Sequence, residues 1–130
     1  MTDQLGRSEL HFAAMDGTAQ LVRSLIESGD DANVRDANLS TPLHLAAREG
    51  NLAAAAELLA SGAHVDAQND DGNTPLWNAV FTATDDGRAI ARLLLQHGAD
   101  PRHRNVFQRT PQSIVDSLFS GELKAIFAPY

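Results

Sequence analysis

Apolar positions in this chain fall into short helical clusters, most of them closed by a glycine. Leu21, Val22, Leu25 and Ile26 recur at helical spacing and predict a helix from about Ala19 to Ser28, with Gly29 as its stop. Ahead of it, Ser8 has the chemistry of an N-cap for a helix through Met15, and Gly17 follows. Thr41 repeats that role, with Pro42 at the first helical position, where its missing N–H costs nothing. That helix runs to about Glu49, before Gly50. The alanine-rich stretch from about Leu52 to Ala60, ending at Gly62, has strong helix propensity and little bulk, so neighbouring helices can approach closely. Thr74-Pro75 opens a further helix, and Gly98 ends the one after it. The last segment reads as two short helices, about Pro111–Leu118 and Gly121–Phe127, with Pro129 blocking continuation.

These clusters repeat. Ser8-Glu9-Leu10-His11-Phe12-Ala13-Ala14 is followed 33 positions later by Thr41-Pro42-Leu43-His44-Leu45-Ala46-Ala47, and 33 later again by Thr74-Pro75-Leu76-Trp77-Asn78-Ala79-Val80. Thr110-Pro111-Gln112-Ser113-Ile114-Val115-Asp116 comes 36 beyond that. Leu58-Leu59 and Leu94-Leu95 are also 36 apart, so three extra residues lie between Thr74 and Leu94. Phe81-Thr82-Ala83-Thr84-Asp85-Asp86, at the turn between two helices, is their expected place, because loop insertions cost little. Between units lie turn sequences. Asn69-Asp70-Asp71-Gly72 supplies a glycine for positive φ. Asp36-Ala37-Asn38-Leu39 and Asn105-Val106-Phe107-Gln108 do not, so Leu39 and Gln108 either carry backbone strain or change the turn type.

The period and the Thr-Pro-Leu-His pattern resemble the ankyrin repeat, a helix–turn–helix unit with a β-turn, of about 33 residues. The resemblance covers Ser8 to about Phe127. It implies an all-α solenoid of stacked helix–turn–helix units with short turn or hairpin connections. It further implies a single domain over 1–130, with repeats at about 8–40, 41–73, 74–109 and a partial capping repeat at 110–130. The repeat span and the Pro129-Tyr130 ending are read as a whole chain.

Composition narrows the class. The 130 residues are 43% hydrophobic, ordinary for a folded chain. Cysteine is absent, which excludes disulfides and thiolate metal sites and fits a reducing, cytoplasmic setting. The start has no basic and apolar signal-peptide pattern. No apolar run reaches the roughly 18–20 residues of a membrane span. The net charge of −7 is uneven: residues 1–73 carry 12 acids and 4 bases, and residues 74–109 carry 3 acids and 5 bases. An acidic front half disfavours nucleic acid and favours a basic partner.

Candidate chemistry is sparse. Phosphate-binding glycine loops, nucleophile elbows and His-Glu-x-x-His are missing. His11 and His44 occupy equivalent places, which reads as a structural bond to the capping Ser or Thr and nearby backbone, against a metal pair on stacked repeats. His64, His97 and His103 lie near turns and are expected in solvent. Asp70-Asp71 with Asp66 lacks calcium-loop spacing and reads first as a solvated turn. Arg102-His103-Arg104 with Arg109 is too small a patch for nucleic acid and reads as a solvated loop or a rim contact. No cofactor is expected.

The resemblance places partner contacts on the turn tips and the exposed face of each first helix. Carried over, the tips are Gln4, Leu5 and Arg7; Ala37, Asn38 and Ser40; Asp70, Asp71 and Asn73; and Val106, Phe107 and Arg109. The late first-helix positions are Met15, Asp16, Arg48, Glu49, Phe81, Thr82, Ser117 and Leu118. From these, with Trp77 added where the repeat usually has histidine, the expected partner-binding set is Met15, Asn38, Arg48, Asp70, Asp71, Trp77, Phe81 and Phe107. Trp77 reads as core or partly buried, Phe81 equally as contact or as packed under the insertion, and Phe107 as contact. The implied function is non-catalytic protein binding by a chain that is monomeric when unbound. The chain looks like small bacterial immunity or inhibitor proteins that neutralise a partner enzyme or toxin. An adaptor or scaffold without inhibition is the alternative, and a metal-dependent enzyme using the histidines is a remote one.

Overall fold

Side-chain caps set the helix starts. The computed structural model describes residues 4–82, 84–119 and 121–130, and among these the chain forms eight α-helices and no β-strand. They are α1 (Glu9–Asp16), α2 (Ala19–Glu27), α3 (Pro42–Glu49), α4 (Leu52–Ala60), α5 (Pro75–Val80), α6 (Asp85–Gln96), α7 (Pro111–Leu118) and α8 (Glu122–Phe127). Ser8, Thr18, Thr41, Asn51, Thr84 and Thr110 each accept a backbone N–H of the first turn, satisfying a donor the helix cannot. The helices pair as expected from the sequence. First helices α1, α3, α5 and α7 stack in one layer, and second helices α2, α4, α6 and α8 stack in another.

The core lies between the layers and recurs with the repeat. Leu10, Leu43 and Leu76 are fully buried at equivalent places, as are Ala13, Ala46 and Ala79 near the ends of the same helices. From the other layer come Val22, Ala55 and Ala91, then Leu58 and Leu94. A buried leucine contributes roughly 1.5–3 kcal/mol. Small alanines between them allow the helices to sit close, and one contiguous core runs from Leu10 to Phe127.

Two histidines tie the first helix of a unit to the residue that precedes the next unit's cap. His11 Nδ1 accepts the Ser8 N–H, and Nε2 donates to the Ser40 carbonyl at 2.8 Å. His44 does the same with Thr41 N–H and with Asn73 O, also at 2.8 Å. Both nitrogens of each ring are committed, so the metal-pair alternative finds no free lone pair on either. Trp77 stands at this place in α5 and cannot accept a hydrogen bond. Accordingly the buried Thr74 hydroxyl has no partner among the described residues.

The turns at Leu39 and Gln108 keep their type and carry strain. Leu39 has φ 61 and Gln108 φ 63, matching Gly72 at φ 73. One device holds all three in this left-handed conformation. Asp36 Oδ1 accepts the N–H groups of Asn38 and Ser40, Asn69 Oδ1 those of Asp71 and Asn73, and Asn105 Oδ1 those of Phe107 and Arg109. Each tip then bonds the preceding one: Ala37 N–H to Leu5 O, Asp70 N–H to Asn38 O, and Val106 N–H to Asp71 O. The tips form a hydrogen-bonded row, although no strand or regular hairpin is present among the described residues.

The insertion overlaps the expected stretch at Asp85 and Asp86 but is helix and not loop. The N-caps Thr18, Asn51 and Thr84 are evenly spaced by 33, while α6 has 12 residues against 9 in α4. The three extra residues therefore form an added first turn of α6, Asp85-Asp86-Gly87, and not a longer loop. Helix propagation satisfies the added backbone groups that a loop would leave to solvent. Thr82 is tied to α3 and lies close against the new turn. Its hydroxyl donates to Ala47 O at 2.7 Å, and its backbone oxygen would lie 2.3 Å from any Cβ at Gly87.

Candidate partner-binding groove

Turn tips and first-helix residues of repeats two and three together line an open groove. It encloses about 510 Å³. Six of the eight residues expected at the interface line it: Asn38, Arg48, Asp70, Asp71, Trp77 and Phe81. Asn38, Asp70 and Asp71 come from the tips, Arg48 from the end of α3, and Trp77 and Phe81 from α5 and its C-cap. The groove takes shape because residues 33 apart in sequence are brought side by side by the histidine and turn bonds.

The other two expected residues lie outside it. Met15 is half-buried on α1, one repeat away, and Phe107 is 67% exposed at the last tip. Neither joins the groove lining. His64 and His97 are exposed, but His103 is half-buried, contrary to the expectation that it would be solvated.

Trp77 and Phe81 form the apolar centre. Their ring centroids are 5.3 Å apart, and Phe81 meets Phe119 edge-on at 6.2 Å. Trp77 is half-buried against the core. Phe81 remains 47% exposed, packed along one side and open on the other. Phe81 is thus half open, and its packed side meets the Trp77 and Phe119 rings.

Polar groups frame the rings. Arg48 is held by Glu49, with Nη2 to Oε1 at 3.0 Å, so its charge is locally compensated. Asp70 and Asp71 are exposed, and their carboxylates make no ion pair among the described residues. Asp66, by contrast, is turned to the neighbouring repeat, where both carboxylate oxygens accept the Asp100 N–H at 3.2 Å. Burial raises its pKa, with the Asp100 N–H acting the other way.

Three lining residues escaped the sequence reading. Leu45 is buried at the groove floor, Asn69 closes the turn, and Asn78 donates Nδ2 to His44 O at 3.0 Å. Leu45 and Asn78 occupy equivalent positions, each next to the histidine or its tryptophan replacement, so their shared register was the available signal. Below the groove, His44 is buried, and that burial lowers its pKa to about 4.

No curated protein matches the sequence. A family model of ankyrin repeats matches in three copies over residues 10–105, most of the chain. With its stacked helix pairs, histidine caps and linked turns, the chain belongs to the ankyrin repeat family.

Proposed function

We propose that this protein binds another protein across the groove of repeats two and three, with Trp77 and Phe81 as the anchors. Membership of the ankyrin family makes protein–protein interaction its coarse function. The observation that carries the specific reading is the Trp77–Phe81 ring pair, half open to solvent between two polar walls. Aromatic anchors surrounded by polar groups are the arrangement in which a few residues dominate binding energy.

The test is capture of partners from native cells with wild-type protein and with Phe81→Ala. The variant is expected to weaken the complex by over ~1 kcal/mol while its helical circular dichroism persists. A complex of unchanged affinity would remove Phe81 from the interface, and unfolding of the variant would assign it to the core. Inhibition of a partner enzyme is the finer form of this reading. It predicts that the partner's activity falls in the complex, whereas unchanged activity supports the adaptor role.

A further inference from the structure

Resting on the groove as the binding surface, we infer that its occupant is an extended segment of a partner protein bearing an arginine or lysine. The aliphatic stem would lie along the Trp77 and Phe81 rings, and the cationic head would meet the Asp70 and Asp71 carboxylates.

Charge complementarity in one confined place selects this occupant. Asp70 and Asp71 line the groove as exposed carboxylates without ion pairs among the described residues. Arg48, the one lining cation among the described residues, is already bonded to Glu49 of its own helix. The uncompensated charge is therefore negative. Asn78 spends one amide N–H on His44 O, and its Oδ1 is an acceptor. The ring faces carry negative electrostatic potential and attract cations, most strongly for tryptophan. Carboxylates, an amide oxygen and two aromatic rings in one groove all favour the same ligand chemistry. An acidic segment or a nucleic-acid backbone meets repulsion at the same residues. Long cationic side chains suit the site because their stems pack on apolar surface while their heads stay polar.

Trp77 is the chain's single tryptophan, so its fluorescence and its indole N–H resonance report on this groove alone. The probes are four Gly-Ser nonapeptides with a central Arg, citrulline, Leu or Glu, titrated into the intact protein at low salt. The Arg peptide is expected to shift the Trp77 signals saturably. The citrulline peptide, of the same shape without charge, should bind at least tenfold more weakly, and the Glu peptide more weakly still. The Asp70→Asn, Asp71→Asn double variant should weaken Arg-peptide binding about tenfold and reduce its salt dependence. Its unfolding transition should stay unchanged, since the turn bonds at these residues are made by backbone atoms.

Equal binding of the Arg, citrulline and Leu peptides would overturn the cation preference and leave the groove itself intact. No response to any peptide would overturn the inference, and the Phe81→Ala capture experiment would then judge the groove separately. A concentration-dependent dimer in sedimentation, lost in Phe81→Ala, would make a second copy the occupant and also overturn it.

Discussion

His44 reaches from the first turn of α3 to the carbonyl of Asn73, closing a 2.8 Å hydrogen bond to the last residue of its own repeat, next to the Thr74 that opens the following one. The bond requires a neutral ring whose Nδ1 accepts from Thr41 and whose Nε2 carries the proton. Burial is the largest cause of a pKa lowered from 6.5 to about 4. In the unfolded chain His44 takes a proton as pH falls below about 6.5, while the folded protein refuses it until about 4. Stability from this group is therefore complete above about 6.5 and is lost as pH falls towards 4, by about 3 kcal/mol in all. Urea unfolding across that range should show the slope. His44→Gln, which keeps a capping side chain, should flatten it. An NMR titration of His44 with a midpoint near 6.5 would contradict the assignment.

Equivalent threonines should respond differently to loss of their hydroxyls. Thr41 Oγ1 caps α3 by accepting the His44 N–H, whereas the buried Thr74 hydroxyl has no partner among the described residues. Thr41→Val should cost about 1 kcal/mol or more. Thr74→Val should be neutral or stabilising, since an unpaired buried polar group is replaced by a methyl. Chemical denaturation of both variants makes the comparison.

Leu39 and Gln108 hold left-handed backbone conformations without being glycine. Relief of that strain outweighs the extra unfolded-state entropy of glycine. Leu39→Gly and Gln108→Gly should each raise stability by about 0.5–1 kcal/mol, read as a higher denaturation midpoint. Gly72→Leu should lower it, because positive φ there comes with a Cβ only 3.1 Å from Val106 N.

Gly87→Ala should destabilise by about 2 kcal/mol or unwind the added turn of α6, since the new methyl would stand 2.3 Å from the Thr82 backbone oxygen. Hydrogen exchange at Asp85–Arg88 would distinguish the two outcomes. A variant as stable and as protected as wild type would show that the helix can shift away.

Most of the helix pattern was legible because its causes are local. A capping hydroxyl, a proline at the first helical position and a closing glycine act within a few residues, and the equivalent leucines and alanines repeat with them. The similar positive φ values at Leu39, Gly72 and Gln108 show where local signals stopped. The side-chain oxygens of Asp36, Asn69 and Asn105, together with the bonds between neighbouring tips, hold that conformation, and glycine is only its easiest occupant. The conformation of the insertion escaped for a similar reason. Counting residues located it between Thr74 and Leu94, and the structure shows it as an added helical turn, capped by Thr84 and packed with Gly87 close against Thr82.

The sequence by itself determined the repeat, its helices and the residue types offered at the tips and first-helix faces, because periodic burial and capping are written in short stretches. Tertiary structure alone decided that Asn38, Arg48, Asp70, Asp71, Trp77 and Phe81 share a groove while Met15 and Phe107 stand apart. It also decided that Phe81 is partly packed and partly open, and that Arg48 is neutralised where Asp70 and Asp71 are not. Those outcomes depend on distances between residues in different repeats, which stacking sets and local sequence does not encode.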